Sequence, residues 1–274
     1  METILIPTDF SSAASNATDY AAELAKYFGA RLVLVHAYSI PPTSADAGFS
    51  LNIITAWQEE AKNKLKDVKK ELLQKNGPAL TIEYLTEVGP VYDVVKAASE
   101  KYQADLIVMG IVGEAGKIKE HIIGSSAVKV ARYMDIPTFI IPENVKYSPI
   151  HKISFACDME HTEETTLVLV AKTFTNMFDA ELEIVNVEKP EEEVTNQKAG
   201  TNLFIERQLG TTNHKTVFIT GNKVAKGLAN YFNTHHTDVI MLNPKKHSIF
   251  HTLFKENVTN ELAFHVHSPL LAIH

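Results

Sequence analysis

Residues 3–9 read Thr3-Ile-Leu-Ile-Pro-Thr-Asp9, a short apolar run that ends in a proline and a polar turn. A run of this length, bounded by turn residues, is typical of a buried β-strand. The stretch from Ser11 to Phe28 begins with helix N-cap residues and continues as an alanine-rich helix, and Gly29 stands where a helix-ending glycine is expected. Arg31 to Ala37 predicts a second strand. This strand–helix–strand order predicts a parallel sheet with right-handed crossovers.

The same alternation of helices and apolar strands continues to residue 142. Continuous apolar strands between helices indicate a sheet that is covered on both faces. Further helices are predicted at about 52–75, 91–102 and 125–134, and further strands at 80–86, 104–110 and 137–142.

After residue 142 the chain repeats this order of strands and helices. The repeat distance falls from about 150 to about 133 residues, so the second copy is shorter at the position of the long helix. A repeat of this length indicates a duplicated domain. Segments 153–158, 180–186, 237–243 and 268–271 match 4–9, 30–36, 104–110 and 136–139.

We therefore predict two tandem doubly wound α/β domains, each with a five-stranded, mostly parallel sheet. The predicted boundaries are 1–143 for the first domain, 144–150 for a linker and 151–274 for the second domain.

Composition excludes several classes of protein. The formal net charge is −7, so the chain lacks the excess of positive charge that non-specific binding to nucleic acid requires. The sequence has no 18-residue apolar run, which argues against a membrane protein. The single cysteine, Cys157, has no intramolecular disulfide partner. We expect a soluble cytoplasmic protein.

A ligand site is expected at the carboxyl ends of the strands, where open parallel sheets bind their ligands. The segments Pro7-Thr8-Asp9, His36-Ala37 and Met109-Gly110 end three strands of the first copy. Asp9 could accept hydrogen bonds from a ribose or an adenine amino group, and Ala37 could form an apolar shelf beneath a base. These features favour a nucleotide ligand.

Glycines and serines supply the expected phosphate site. Gly110 and Gly113 could adopt backbone angles closed to other residues and let amides approach an anion. Gly124-Ser125-Ser126 opens a helix, whose free amides and positive end suit a phosphate. Each feature also has a structural explanation, since loop glycines are common and both Asp9 and the Gly-Ser pair could simply cap helices.

The segments Pro7-Thr8-Asp9-Phe10-Ser11, Val35-His36-Ala37 and Gly110-x2-Gly113…Gly124-Ser125 resemble the universal stress protein superfamily. The resemblance covers nearly the whole chain as a tandem of two domains and implies an adenine nucleotide alpha-hydrolase-like fold. It also implies that ATP, with Mg or Mn, binds to the N-terminal domain. By this resemblance Asp9 and Ala37 neighbour the adenine and ribose, Pro7, Thr8 and Met109 line the pocket wall, and Gly110, Gly113, Gly124, Ser125 and Ser126 surround the ribose and phosphates.

Two features depart from the family motif. Ten residues separate Gly113 from Gly124, where the nucleotide-binding branch has nine. Glu114 follows Gly113, and a carboxylate there would repel a triphosphate. Lys117 and Lys119 could compensate for its charge.

The second copy departs further. It keeps Asp158, but Asn243 and Lys246 replace the first two motif glycines, and Glu256-Asn257 replaces Gly124-Ser125. We expect no ATP at this second site. The second copy is instead expected to pair with the first as an intramolecular pseudo-dimer, and whole chains could form homodimers.

The leading function is that of an ATP-binding protein that senses or signals in the stress response. No Walker lysine motif and no convincing base for activating water are present, so we expect at most slow ATP hydrolysis or autophosphorylation. The alternative is an interaction scaffold in which both sites are degenerate. An adenylating enzyme of related architecture would need a glycine-serine loop after the first strand, which is missing here.

Histidines cluster near the end of the chain. His247 and His251 have the i, i+4 spacing that can chelate a metal on a helix, with His265 and His267 nearby. No carboxylate or cysteine completes an evident ligand set, and we predict no metal site.

Overall fold

The computed structural model describes residues 1–39, 51–111, 125–157, 162–188, 196–221, 224–244 and 268–274. The chain divides into two compact units, which comprise the described parts of residues 1–147 and of residues 148–274. Both units are α/β with parallel strand pairing, as predicted. Of the helices in the described ranges, none is long and apolar enough to cross a membrane.

Unit 1 has a five-stranded sheet in the order β3-β2-β1-β4-β5, and its strand pairings are parallel. Most element boundaries lie within two residues of those predicted. The elements are β1 (Thr3–Pro7), α1 (Ser12–Phe28), β2 (Arg31–Tyr38), α2 (Leu51–Asn76), β3 (Ile82–Val88), α3 (Val91–Tyr102), β4 (Leu106–Ile111), α4 (Ser125–Tyr133) and β5 (Thr138–Pro142).

Helix α1 is defined by its two ends and by its small buried residues. The Ser11 hydroxyl accepts a hydrogen bond from the Ala14 amide at 3.2 Å, so Ser11 is the N-cap, as predicted. Gly29 ends the helix in the left-handed conformation, with φ at 65°. Between them lie fully buried small side chains, including Ala17 and Ala21. These let the helix lie close against the sheet.

Both faces of the unit 1 sheet are buried. On one face Leu5 of β1, Val33 of β2 and Ile107 of β4 form an apolar cluster with residues of α3 and α4. The residues that alternate with them, such as Ile4 and Ile6, are also fully buried. This explains why the central strands are continuous apolar runs.

Unit 2 repeats the strand order of unit 1 as β8-β7-β6-β9-β10. Helix α6 has 14 residues where α2 has 26, which agrees with the shortening expected in the second copy. The sequence prediction had not located α5, α6, α7 or β8. The elements are β6 (Lys152–Ala156), α5 (Thr162–Phe178), β7 (Glu181–Glu188), α6 (Asn196–Leu209), β8 (His214–Thr220), α7 (Val224–Thr234), β9 (Val239–Leu242) and β10 (Leu270–Ala272).

The core of unit 2 contains a charged cluster where unit 1 is apolar. Glu183 occupies the repeat position of Val33, and its side chain is 1% exposed. Its Oε1 atom lies 3.0 Å from Lys152 Nζ and 3.1 Å from Lys215 Nζ, while Ser154 donates a hydrogen bond to Oε2 at 2.9 Å. The carboxylate is therefore buried but well compensated.

A neighbouring ion pair has opposite polarity in the two units. In unit 1, Arg31 of β2 lies 3.1 Å from Glu83 of β3. At the repeat positions in unit 2, Glu181 of β7 lies 3.2 Å from Lys215 of β8. The two copies thus keep a cross-strand attraction while exchanging its charges.

Candidate functional site

Those predicted site residues of unit 1 that belong to the described parts of β1, β2 and β4, or directly follow them, lie at one edge of the sheet. Strand β1 lies between β2 and β4, so the carboxyl ends of the three strands are adjacent. Pro7 is the last residue of β1, Ala37 is the next-to-last residue of β2, and Met109 and Gly110 lie near the end of β4.

An apolar wall joins three of the chain segments at this edge. Met109, which is 6% exposed, and Ala127 belong to one buried cluster, and the partly buried Ala37 packs against that cluster. Ala127 lies in the first turn of α4, directly after Ser125 and Ser126. The end of β2, the end of β4 and the start of α4 thus each contribute a residue to one apolar cluster.

Asp9 lies in the turn between β1 and α1 and is exposed to solvent. Its Oδ1 atom accepts a hydrogen bond from the Ser11 amide at 3.0 Å, while the buried Thr8 hydroxyl accepts one from the Phe10 amide at 3.1 Å. Ser11 caps the helix, so the alternative that Asp9 is the helix cap is wrong. The turn carries Asp9 at the edge where Ala37 and Met109 lie near the ends of their strands.

Gly110 is required for a different reason from the one predicted. Its φ is not in the left-handed region, so it has no need of unusual backbone angles. A Cβ atom on Gly110 would lie 2.2 Å from the Ala13 carbonyl oxygen and 2.9 Å from the Ala14 amide nitrogen. The glycine therefore lets α1 approach β4, and that approach places the turn that carries Asp9 beside the end of β4.

The start of α4 offers the expected anion-binding chemistry. The helix begins at Ser125, and Ser126 is half-buried in its first turn. The first amides of a helix lack intrahelical acceptors and lie at its positive end. The remaining loop residues predicted for this site, Gly113, Glu114, Lys117, Lys119 and Gly124, lie outside the described residues.

At the corresponding edge of unit 2, Asn243 stands at the repeat position of Gly110 and is 3% exposed. Cys157, at the position of Thr8, is buried as expected for a small core residue. Within the described ranges no group of three or more metal-ligating side chains occurs. Asp158, Lys246, Glu256, Asn257, His247, His251, His265 and His267 lie outside those ranges.

Two features of this edge were missed by sequence reasoning. Phe10 has a positive φ of 66°, which is unusual for a bulky residue. The other non-glycine residues with positive φ in the described ranges, Gln103 and Asp179, follow helix ends. His36 Nδ1 also lies 2.7 Å from the Thr8 carbonyl oxygen. The alignment of His36 with Asn186, another residue with a side-chain N–H, was the one available signal.

Comparisons with known proteins agree with this architecture. Residues 1–142 match the model of the Universal stress protein family. A universal stress protein of Methanocaldococcus jannaschii is 32% identical over 146 residues, which cover 52% of this chain and 83% of that protein. The crystal structure of a universal stress protein from Archaeoglobus fulgidus has a TM-score of 0.74 at 19% identity, covering 99% of this chain and 97% of that one.

A functionally unknown protein from Pseudomonas aeruginosa has a TM-score of 0.62 at 14% identity, covering 100% of this chain and 92% of that one. At such low identities the two structures show a shared fold that extends over both units. The family match and the Methanocaldococcus relative concern about half of the chain. Taken together, they show that this chain belongs to the universal stress protein family.

Proposed function

We propose that unit 1 binds ATP, together with Mg or Mn, at the carboxyl edge of its sheet, and that the protein senses or signals nucleotide state in the stress response. The observation that carries this proposal is that Ala37, Met109 and Ala127 contribute to one apolar cluster, while the exposed Asp9 carboxylate follows β1, the strand between β2 and β4. A flat apolar base and a polar ribose need this combination of surfaces side by side.

The residues present fit an adenine nucleotide part by part. The partly buried Ala37 offers an apolar surface for the base, to which the largely buried Met109 adds its small exposed part. The Asp9 carboxylate can accept hydrogen bonds from ribose hydroxyls or from the adenine amino group. The amides at the start of α4, which begins with Ser125, and the Ser126 hydroxyl can donate to phosphate oxygens.

We propose that unit 2 does not bind ATP and takes the place of a partner subunit. The buried Asn243 occupies the position of Gly110, so a side chain stands in unit 2 where unit 1 has only backbone against Ala13. The competing proposal is a scaffold that binds no nucleotide in either unit. It predicts that the wild-type protein takes up no ATP at all.

A charge placed at the start of α4 tests the location of the site. Ser126→Glu adds a carboxylate beside the expected phosphates and should raise the ATP dissociation constant at least about tenfold, since like charges at short range repel by more than 1 kcal/mol. Thr81→Glu adds the same charge at the exposed start of β3, on the opposite edge of the sheet, and should leave the constant unchanged. Equal ATP affinities for the two variants would place the phosphates elsewhere.

A further inference from the structure

Hydrogen bonds hold the turn that carries Asp9 against the neighbouring strand β2. One is formed by the backbone amide of Thr8 and one by the side chain of His36. The Thr8 amide donates to the Val35 carbonyl oxygen at 2.8 Å. The Thr8 carbonyl oxygen lies 2.7 Å from His36 Nδ1. Because a carbonyl oxygen can only accept, Nδ1 of His36 carries the proton in this hydrogen bond. His36 thus holds the end of β1 at the point where the turn begins.

The unfavourable backbone conformation of Phe10 explains why the turn needs these hydrogen bonds. With φ at 66°, its backbone is in a region that a residue with a large side chain rarely adopts, so the turn needs support from its surroundings. The Phe10 ring packs on the His36 ring, with 4.5 Å between the ring centroids, and Lys64 Nζ lies 5.8 Å from the centroid of Phe10. His36 therefore supports the strained residue and the carbonyl two residues before it.

Unit 2 makes the same hydrogen bond with a different side chain. Asn186 aligns with His36 and Cys157 with Thr8, and Asn186 Nδ2 donates to the Cys157 carbonyl oxygen at 3.2 Å. The Cys157 amide donates to the Val185 carbonyl oxygen at 3.0 Å, as Thr8 does to Val35. The shared requirement is a side-chain N–H donor at this position, since the amide nitrogen of asparagine and Nδ1 of histidine are equally distant from the backbone.

We infer that His36 is a positioning residue of the nucleotide site, which sets the place of the Asp9 carboxylate through the Thr8 carbonyl and the Phe10 ring. Side chains alternate along a strand, so His36 points to the sheet face opposite to Ala37 and the apolar wall. It acts on the ligand through the turn and not by contact. This inference rests on the proposed ATP site of unit 1.

Three substitutions in the full chain test this role. His36→Leu removes the N–H donor, His36→Asn keeps a donor at the same distance, and Asn186→Leu removes the matching bond in unit 2. Titration calorimetry with Mg-ATP should show a dissociation constant about tenfold higher for His36→Leu, because a binding group displaced by a fraction of an ångström loses much of its contribution. We expect a change below about threefold for His36→Asn, as the donor is retained. Asn186→Leu should bind ATP as the wild type does.

Amide hydrogen exchange measures the turn itself without ATP. The amide hydrogens of Phe10 and Ser11, which are hydrogen-bonded to the side chains of Thr8 and Asp9, should exchange faster in His36→Leu and at the wild-type rate in His36→Asn.

Failure of the wild-type protein to bind ATP would remove the proposed site, and with it the positioning role, while exchange would still show whether His36 holds the turn. A folded His36→Leu protein with wild-type ATP affinity would overturn the inference alone. Equal losses of affinity in His36→Leu and Asn186→Leu would also overturn it, since they would reflect a general loss of stability. If His36→Leu does not fold, His36→Asp replaces it, because aspartate has the shape of asparagine without the donor.

Discussion

Gly110 of β4 lies so close to Ala13 of α1 that a Cβ atom on the glycine would be 2.2 Å from the Ala13 carbonyl oxygen. This distance is far shorter than a van der Waals contact, and the atom it meets belongs to helix backbone. The contact fixes how closely the first helix lies against the sheet at the edge where the proposed ligand binds. A glycine that the family motif associates with the nucleotide is thus needed by the fold itself.

Gly110→Ala should therefore destabilise the protein without any ligand present. The added methyl group forces α1 away from β4, and we expect a loss of about 3 kcal/mol in the free energy of unfolding. Gly227→Ala, within helix α7, is the matched control. A Cβ atom at Gly227 would lie 3.5 Å from Val187 Cγ1, which is an ordinary van der Waals contact. That control should be neutral or stabilising by up to about 1 kcal/mol. Urea denaturation measures both, and equal stabilities for the two variants would contradict the packing role of Gly110.

Removal of the buried carboxylate of unit 2 is predicted to destabilise the protein strongly. Glu183→Gln leaves the ammonium groups of Lys152 and Lys215 without their common anion and should cost about 3 kcal/mol. Glu181→Gln removes only the partly exposed pair with Lys215 and should cost less than about 1 kcal/mol. Thermal unfolding of the two variants checks the difference. Similar midpoints would mean that the buried cluster contributes no more than a surface ion pair.

The same carboxylate predicts a loss of stability in acid. Burial by itself raises the pKa of Glu183, but hydrogen bonds from Lys152, Lys215 and Ser154 outweigh burial and hold the pKa below its ordinary value. A lowered pKa in the folded state stabilises the protein above the ordinary pKa of the group, and this stabilisation disappears as the pH falls towards the folded pKa. Between about pH 5 and pH 3 the wild type should lose more stability than Glu183→Gln does. Parallel pH profiles of unfolding for the two proteins would contradict this assignment.

Asn16 is predicted to hold the segment that follows β5 against α1. Its Nδ2 group donates to the carbonyl oxygens of Pro142 and Val145 at 3.0 and 2.8 Å, and Lys146 donates to its Oδ1 at 2.8 Å. Asn16→Ala removes all three of these hydrogen bonds and should cost about 2 kcal/mol. The Pro142 carbonyl oxygen keeps the Val145 amide as a donor at 3.0 Å, so the Val145 carbonyl is the acceptor that loses Asn16 as its donor. The substitution should also speed proteolytic cleavage in residues 144–150 several-fold, as measured by the time course of digestion.

Asp19→Ala is the control for the Asn16 experiment. Asp19 lies on the same helix, but its side chain forms an exposed ion pair with Lys75 at 3.2 Å. Its loss should change the cleavage rate of residues 144–150 little. Cleavage that is equally fast in both variants would show that Asn16 does not secure this segment.

The fold could be predicted from the sequence because its signals are local and occur twice. Apolar runs such as 3–7 and 106–111 predict buried strands in any context, and Ser11 and Gly29 define the ends of α1 by short-range hydrogen bonding and backbone freedom. Strand β8 (His214–Thr220) was missed because it begins with three polar residues and has an apolar run of only three, 217–219, at the outer position of its sheet.

The arrangement of the candidate site residues on the sheet was predictable from the sequence, but the contacts that support them were not. Topology alone places Asp9, Ala37 and Met109 at one edge, because parallel strands end together. The left-handed backbone of Phe10 and the packing of Gly110 on Ala13 depend on the distance between a helix and a strand, and no sequence pattern encodes that distance. The sequence also did not predict the burial of Glu183, because its lysine partners come from two other strands.

The stoichiometry of ATP binding tests the central claim most directly. Titration of Mg-ATP into the purified chain, with GTP and AMP as controls, should saturate at about one ATP per chain. Ser126→Glu should weaken that binding, while Thr81→Glu should not. Two ATP per chain would contradict the degenerate second site, and no heat and no thermal shift at millimolar ATP would contradict nucleotide binding altogether.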